Sequence, residues 1–313
     1  MRKIISLLLI LLVLIPAWSF AFECIPTADT AEFPEIEGVG ADGFLTAGEY
    51  VLTDTKLGLW QYVSDSVRVE IKRYTATDRK EIFFVAHVYQ KEPVGLSTYL
   101  SNPKKPTGDK AWPWDIATKN KVILATNGDF FADRVGDSGP MGIVIRNGVA
   151  IGKKKASNTG IPTLDLIALF PDGSMKCFGG KEHTAEEYLE MGATDTLCFG
   201  PILVQNGEVP VKRLTDMGGA REPRTAVGMV EPGHYVFVMA EGRTDTSNGL
   251  RHTEMGALML ENGCVEALNL DGGQTALIMF MGEKINETGV CGTNNVGRKT
   301  TDIVGVGYSE LVE

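Results

Sequence analysis

Two stretches combine an amide, a glycine and a carboxylate in a way that could do chemistry: Asn127-Gly128-Asp129 and Asn269-Leu270-Asp271-Gly272-Gly273. An apolar run precedes each asparagine, so each reads as a strand that ends in a turn. Asn269 and Asp271 lie two apart and project from one strand face. Gly272 and Gly273 let the backbone turn and approach a ligand, with bare N–H groups beside the carboxylate. Asp129 and Asp271, on two such turns, could face one cleft. That suits general acid–base work, or a divalent cation such as Ca²⁺ or Mg²⁺. The same residues also make ordinary hairpin turns, with Phe130 and Phe131 as core. Arg221 and Arg224 bracket Pro223 and fit bidentate capture of phosphate or carboxylate, or else a salt-bridge patch with Glu222. Glu254 opens a helical stretch, where it is either a catalytic carboxylate or a partner of Arg251 and the helix dipole. Of the four histidines, His87, His183, His234 and His252, none has ligand spacing; His252, beside Glu254, is kept as a candidate. GxSxG, HExxH, P-loop and CxxC motifs are absent.

The elements that must position these groups are mostly strands. Residues 66–74 alternate apolar and polar, and 81–89 form a more continuous apolar run, so the two read as a hairpin. Further strands are expected at 121–126, 143–145, 149–151, 164–170, 175–178, 197–204, 235–240, 265–270, 276–280 and 302–308. Gln205 to Glu208 reads as one more hairpin turn. Helices are expected over 114–120, 184–191 (Thr184 as cap) and 250–262. The order strand 235–240, helix 250–262, strand 265–270 predicts a right-handed crossover with a parallel pair. Trp112 and Trp114 anchor a proline-rich surface loop, or stack on sugar at the rim of a site. The fold class is therefore α+β or mixed α/β, strand-rich, with a few helices and one βαβ crossover near the C-terminus.

With 313 residues and a formal net charge of −10, the chain lacks the basic face that nucleic acid requires. Arg2 and Lys3, the apolar run 4–15 and small residues near position 21 form a secretory signal peptide. The domain expectation is thus a signal peptide at 1–21, a leader at 22–59 and one domain at 60–313. No membrane span is expected after cleavage, and the destination is secreted or cell envelope. That compartment permits disulfides among Cys24, Cys177, Cys198, Cys264 and Cys291, the odd count leaving one unpaired. Glu23 before Cys24 argues against a lipid anchor.

One ordered set of residues goes further. Asn127-Gly128-Asp129-Phe130-Phe131, Gly200-Pro201 with Asn206-Gly207, Arg221 with Pro223 to Gly228, Glu241-Gly242-Arg243, Glu254, and Asn269 to Gly273 together resemble the phosphodiester glycosidase family. The resemblance spans roughly residues 60–308. It implies a single mixed α/β catalytic domain. It implies a secreted hydrolase that cleaves a sugar 1-phosphodiester at the C1–O bond, in an envelope or extracellular glycan. Phosphate is the leaving group, stabilised by arginine. On that reading Asp271, then Asp129, then Glu254 are the catalytic carboxylates. Asn127, Gly128, Arg221, Arg224, Thr225, Arg243, Asn269, Gly272 and Gly273 bind substrate. The partner is a glycan or sugar phosphate. Two positions depart from the family pattern: Gln274 stands where a third glycine is common, and Arg298-Lys299 where Arg-Pro is common. The Gln274 departure motivates an alternative, a non-catalytic polysaccharide-binding or assembly protein. A second alternative is a phosphodiesterase cutting the P–O bond.

Overall fold

The structure is a computed structural model that describes residues 31–76, 78–106, 108–128, 142–154 and 162–313. The chain begins with β1 Tyr50–Asp54, β2 Leu59–Val63, β3 Val67–Ala76, β4 Glu81–Gln90 and β5 Ser97–Leu100, then α1 Pro113–Lys119 and β6 Leu124–Asn127. Next come β7 Gly142–Arg146, β8 Val149–Lys154, β9 Asp165–Leu169, β10 Met175–Phe178, α2 Ala185–Glu190, β11 Asp195–Phe199, β12 Ile202–Val204 and α3 Val211–Met217. The last third holds β13 Arg224–Glu231, β14 His234–Ala240, α4 His252–Glu261, β15 Glu266–Asn269, β16 Ile278–Phe280, β17 Glu283–Lys284 and β18 Asp302–Val306.

Eight strands make the main sheet, in the order β1-β2-β3-β4-β14-β13-β15-β12. A five-stranded sheet runs β17-β16-β6-β18-β5, and smaller sheets run β10-β9-β11 and β7-β8. Every pairing in the main sheet is antiparallel. The edge strand β1 comes from the segment read as leader and pairs with β2 from Tyr50 opposite Val63 to Asp54 opposite Leu59.

The periodicity of each strand reports what covers it. β14 is apolar at nearly every position because both faces are buried. On one side Tyr235, Phe237 and Met239 join the largest core with Phe84, Val227 and Leu268, and with Leu124, Ile278 and Val304 of the five-stranded sheet. On the other, Val236 and Val238 pack with Met255, Leu258 and Met259 of α4 and Leu214 of α3. α2 starts where the sequence places its cap: Thr184 Oγ1 accepts from Glu187 N at 3.2 Å and Glu187 Oε2 accepts from Thr184 N at 2.6 Å.

Two expectations change in detail. α4 does cross over between strands that run the same way, β14 and β15, but β13 lies between them and pairs antiparallel with both. β13 was hidden in a stretch read for its arginines. The run 197–204 is broken at Gly200-Pro201 into β11 and β12, which belong to different sheets, and the turn at Gln205–Glu208 closes as a hairpin with one antiparallel bridge before the chain enters helix α3. No helix among the described residues is long and apolar enough to cross a membrane. Cys177, Cys198 and Cys264 are buried and Cys291 is exposed, none of them in a disulfide among the described residues; Cys24 lies outside the described residues.

On the main sheet His87 Nδ1 and His234 Nε2 lie 3.0 Å apart, and His87 Nε2 is 3.0 Å from Asn262 Oδ1. Asn262 Nδ2 donates to Leu258 O at 2.7 Å, so Oδ1 accepts, His87 carries its proton on Nε2, and its Nδ1 accepts from His234. This is the pattern that two neutral imidazoles make. Burial pushes the His87 pKa down, and burial with the neighbouring His87 and Arg68 pushes His234 down to about 4. An unfolded imidazole takes up its proton near ~6.5, so in acid the unfolded state binds more protons than the folded one. The pair's contribution to stability should be flat above that pH and fall as pH drops from there towards 4. Urea unfolding between pH 7 and 4 should show this, with a shallower slope in His234→Gln; an unchanged slope would refute the assignment.

Candidate active site

β6 and β15 end side by side, although they belong to different sheets. Asn127, at the end of β6, is fully buried and holds the junction. Its Nδ2 donates to Asp271 O at 3.0 Å and to Gly128 O at 3.0 Å. Its Oδ1 accepts from Thr225 Oγ1 of β13 at 2.8 Å and from Leu277 N at 3.3 Å. One amide therefore ties the five-stranded sheet to the main sheet and to the loop after β15. Gly128 packs so closely on Asp302 that an added Cβ would sit 2.3 Å from its Oδ1. Asp302 is itself held by Arg146 in an ion pair whose two side chains are each 1% exposed.

Above this junction lies a cleft of about 330 Å³, lined by Phe199, Arg224, Arg243, Asn269, Asp271 and Arg298, with Glu222 and Gln274 at its walls. Gly272 and Gly273 form its floor. A Cβ on Gly272 would lie 2.6 Å from Pro223 O, which explains why no side chain is there. Their N–H groups are not bare as the sequence suggested. Gly272 N donates to Asp271 Oδ1 at 2.9 Å and Gly273 N to Pro223 O at 2.9 Å. This is the cost of packing the loop on the Arg221–Arg224 segment; it also fixes the Asp271 carboxylate.

Arg224 is 7% exposed, and its guanidinium meets only neutral acceptors. Nε donates to Leu250 O at 2.6 Å, Nη1 to His252 Nε2 at 2.6 Å and Nη2 to Ala220 O at 3.0 Å. Those bonds take three of the five donors of a guanidinium. Burial lowers its pKa to about 10, so it remains charged at neutral pH. His252 accepts from it and must therefore carry its proton on Nδ1, an atom with no hydrogen-bond partner among the described residues. Burial, then the Arg224 charge, push His252 down to about 3, so it is neutral. Arg243 gives only Nε to Glu222, at 2.6 Å, and its Nη1 lies over Gly273. Asn269 is 1% exposed; its Nδ2 is held by Gly200 O at 2.9 Å and Leu270 O at 3.0 Å. Those two bonds fix the amide orientation and leave Oδ1 as a buried acceptor without a partner among the described residues.

The structure thus brings Asp271, Arg224, Arg243, Asn269, Gly272 and Gly273 to one cleft. It does not bring Arg221 there. Arg221 is bonded to Glu81 and to Glu254, and Glu254 also accepts from Arg251 N at 2.7 Å, capping α4. Glu254 is therefore a pairing and capping residue, removed from the cleft lining. Asn127 and Thr225 lie beneath the lining, with their polar atoms spent on one another, and Gly128 lies beneath it against Asp302. Asp129 lies outside the described residues. Arg298 and Gln274 reach the lining without having been named as site residues. Gln274 Nε2 donates to Asn294 O at 2.6 Å, tying down the loop that carries Arg298. The signal for Gln274 was its departure from the family pattern, and for Arg298 that it keeps the arginine of the Arg-Pro pair beside the departing Lys299. A divalent cation does not fit the described part of this cleft, where three arginines face two carboxylates and Arg243 takes one of those. Among the described residues no group of three His, Cys, Asp or Glu is placed to hold a metal.

A sequence model described as phosphodiester glycosidase matches residues 120–307. A prophage-derived uncharacterised protein of Bacillus subtilis, YomE, is 24% identical over 271 residues, covering 86% of this chain and 39% of that protein. The chain thus spans well under half the length of that relative. Among solved structures, the fold is similar to the zebrafish N-acetylglucosamine-1-phosphodiester alpha-N-acetylglucosaminidase catalytic domain, auto-inhibited by its pro-peptide. That likeness has a TM-score of 0.61 at 17% identity and covers 85% of this chain and 90% of that one. A hypothetical protein from Synechocystis is similar at a TM-score of 0.50 and 14% identity, over 77% of this chain and 62% of that one.

Asn127→Ala should cost about 2–4 kcal/mol, because it leaves several buried donors and acceptors unpaired at once. Urea unfolding measures this, and a loss below about 1 kcal/mol would show that the junction does not depend on the amide.

Proposed function

Because this chain belongs to the phosphodiester glycosidase family, we propose that it hydrolyses a sugar 1-phosphodiester at the C1–O bond, in an extracytoplasmic glycan. The observation that carries this reading is Arg224, a buried cation at a cleft with neutral partners only and two donors left over. Glu222 and Glu254 act on this buried charge without bonding to it; a phosphate diester supplies an anion at bonding distance and matches the geometry of the guanidinium fork. Arg243, paired with Glu222, and Arg298 line the same cleft.

In the proposed reaction the phosphate lies against Arg224. Negative charge builds on the bridging oxygen as C1–O breaks, and the fixed guanidinium stabilises it without reorganising. Phosphate leaves readily, so protonation of the leaving group matters little. Asp271 lines the cleft, with one oxygen fixed by Gly272 N–H. It serves C1, either by activating water or by attacking directly. Asn269 offers Oδ1 to a sugar hydroxyl or amide N–H. The products are a free sugar and a phosphomonoester. Export rests on the sequence reading of residues 1–21 as a signal peptide.

The test is hydrolysis of UDP-N-acetylglucosamine and of N-acetylglucosamine 1-(methyl phosphate) in oxygen-18 water. Label should enter the sugar and not the phosphate. Asp271→Asn should abolish turnover, and Arg224→Ala should lower kcat by about 10²–10³-fold. Label in the phosphate would mean P–O cleavage instead. Absence of turnover, with saturable polysaccharide binding, would leave a binding protein.

A further inference from the structure

A second concavity, about 1060 Å³, lies directly beside the cleft. It exceeds the roughly 300–1,000 Å³ usual for small-ligand sites. The two share walls at two places in the chain. Phe199 lines the cleft, and the next residue, Gly200, packs on Thr163 and Asp165 of the groove; an added Cβ there would lie 2.1 Å from Thr163 Oγ1. Met217, at the end of α3, lines the groove, and Gly219 lines the cleft. Gly200 also accepts from Asn269, so the wall between the two is bonded to the residue with the open acceptor.

The two concavities differ in charge. The cleft has Arg224 with neutral hydrogen-bond partners and two donors left over. In the groove most charges are paired within the walls: Arg213 Nη2 is 2.6 Å from Asp165 Oδ2, and Lys212 pairs with Asp216. Lys181 and Glu182 add one charge of each sign, Glu182 Oε1 accepting from Gly179 N at 2.9 Å. Val211, Pro210 and Met217 supply apolar surface on the same walls. Balanced charge beside apolar surface suits uncharged sugar rings, which present C–H faces and hydroxyl edges.

We propose that the groove binds the further, uncharged sugar units of an oligosaccharide whose reducing-end C1 lies in the cleft. Asn269 bonds Gly200 in the shared wall, so the glycan runs past it towards the groove while the phosphate stays against Arg224. The inference rests on the proposed hydrolysis and deepens it: the substrate is an oligosaccharide 1-phosphodiester rather than a single sugar on phosphate.

The experiment compares 1-(methyl phosphate) diesters of N-acetylglucosamine and of its β1,4-linked tetramer, and of glucose and of its α1,4-linked tetramer. In at least one pair kcat/KM should be about 10-fold or more higher for the tetramer, since each tenfold needs only ~1.4 kcal/mol of added contact. Val211→Trp and Met217→Trp, which fill the groove, should each return the tetramer to the monomer's value and leave the monomer's unchanged. Tetramers no better than monomers, or an advantage that survives both variants, would overturn the groove. If no diester is hydrolysed, the hydrolase reading fails. Calorimetric binding of the tetramers, with and without Val211→Trp, then still decides the groove.

Discussion

One amide side chain joins what would otherwise be two stacked sheets with independent edges. Asn127 ends a strand of the five-stranded sheet, yet its bonds run to Thr225 in the main sheet and to the backbone of Asp271. The apolar core presses the sheets together without fixing their register, because burial has no direction. The amide has direction, with two donors and an acceptor each matched to one place. It sets how far the end of β6 sits from the end of β15, and hence where Asp271 enters the cleft. A side chain with this role must be buried, and so it cannot also touch substrate.

A similar division runs through the arginines. Arg221 and Arg224 are three apart and look equivalent in sequence. Arg221 meets two carboxylates, Glu81 and Glu254, and its charge is spent on holding the start of α4 to the start of β4. Arg224 meets two carbonyls and a neutral imidazole, one of the carbonyls and the imidazole belonging to residues 250–252. The first arginine therefore fixes the element that holds the second. Placement by neutral acceptors keeps Arg224 rigid without cancelling its charge, which is what electrostatic stabilisation of a developing anion requires. His252 is suited to this because it is neutral: a protonated imidazole there would repel the guanidinium.

Much of the architecture was legible because strands declare their burial. The alternation of β3 and the continuous run of β14 told apart a half-covered strand and a doubly covered one. The crossover helix was legible from Met255, Leu258 and Met259 on one face. What was hidden was pairing partners. β13 could slip between β14 and β15 because antiparallel neighbours need not be adjacent in sequence, and no local pattern says which edge a strand will take. α3, with Leu214 as its one buried residue, has too narrow an apolar face to be read. At the site, residue types were legible and their roles were not. Glu254 and Asp271 look alike as carboxylates near turns; only the third dimension supplies Glu254 with an arginine and a helix end to cap.

Gln274 shows how a departure from a pattern can be absorbed rather than lost. A glycine there would leave the loop 288–298 to its own turns. The glutamine reaches that loop and bonds Asn294 O, while its own backbone stays in the floor beside Gly273. The bond lies on the wall that carries Arg298, so the substitution that removes a flexible residue also anchors a cationic one. The floor keeps its shape because the close approach to Pro223 is made by Gly272, two residues earlier. A side chain is tolerated at 274 and excluded at 272 for one reason: the backbone meets another backbone at 272, and at 274 it meets a loop that has a carbonyl to offer.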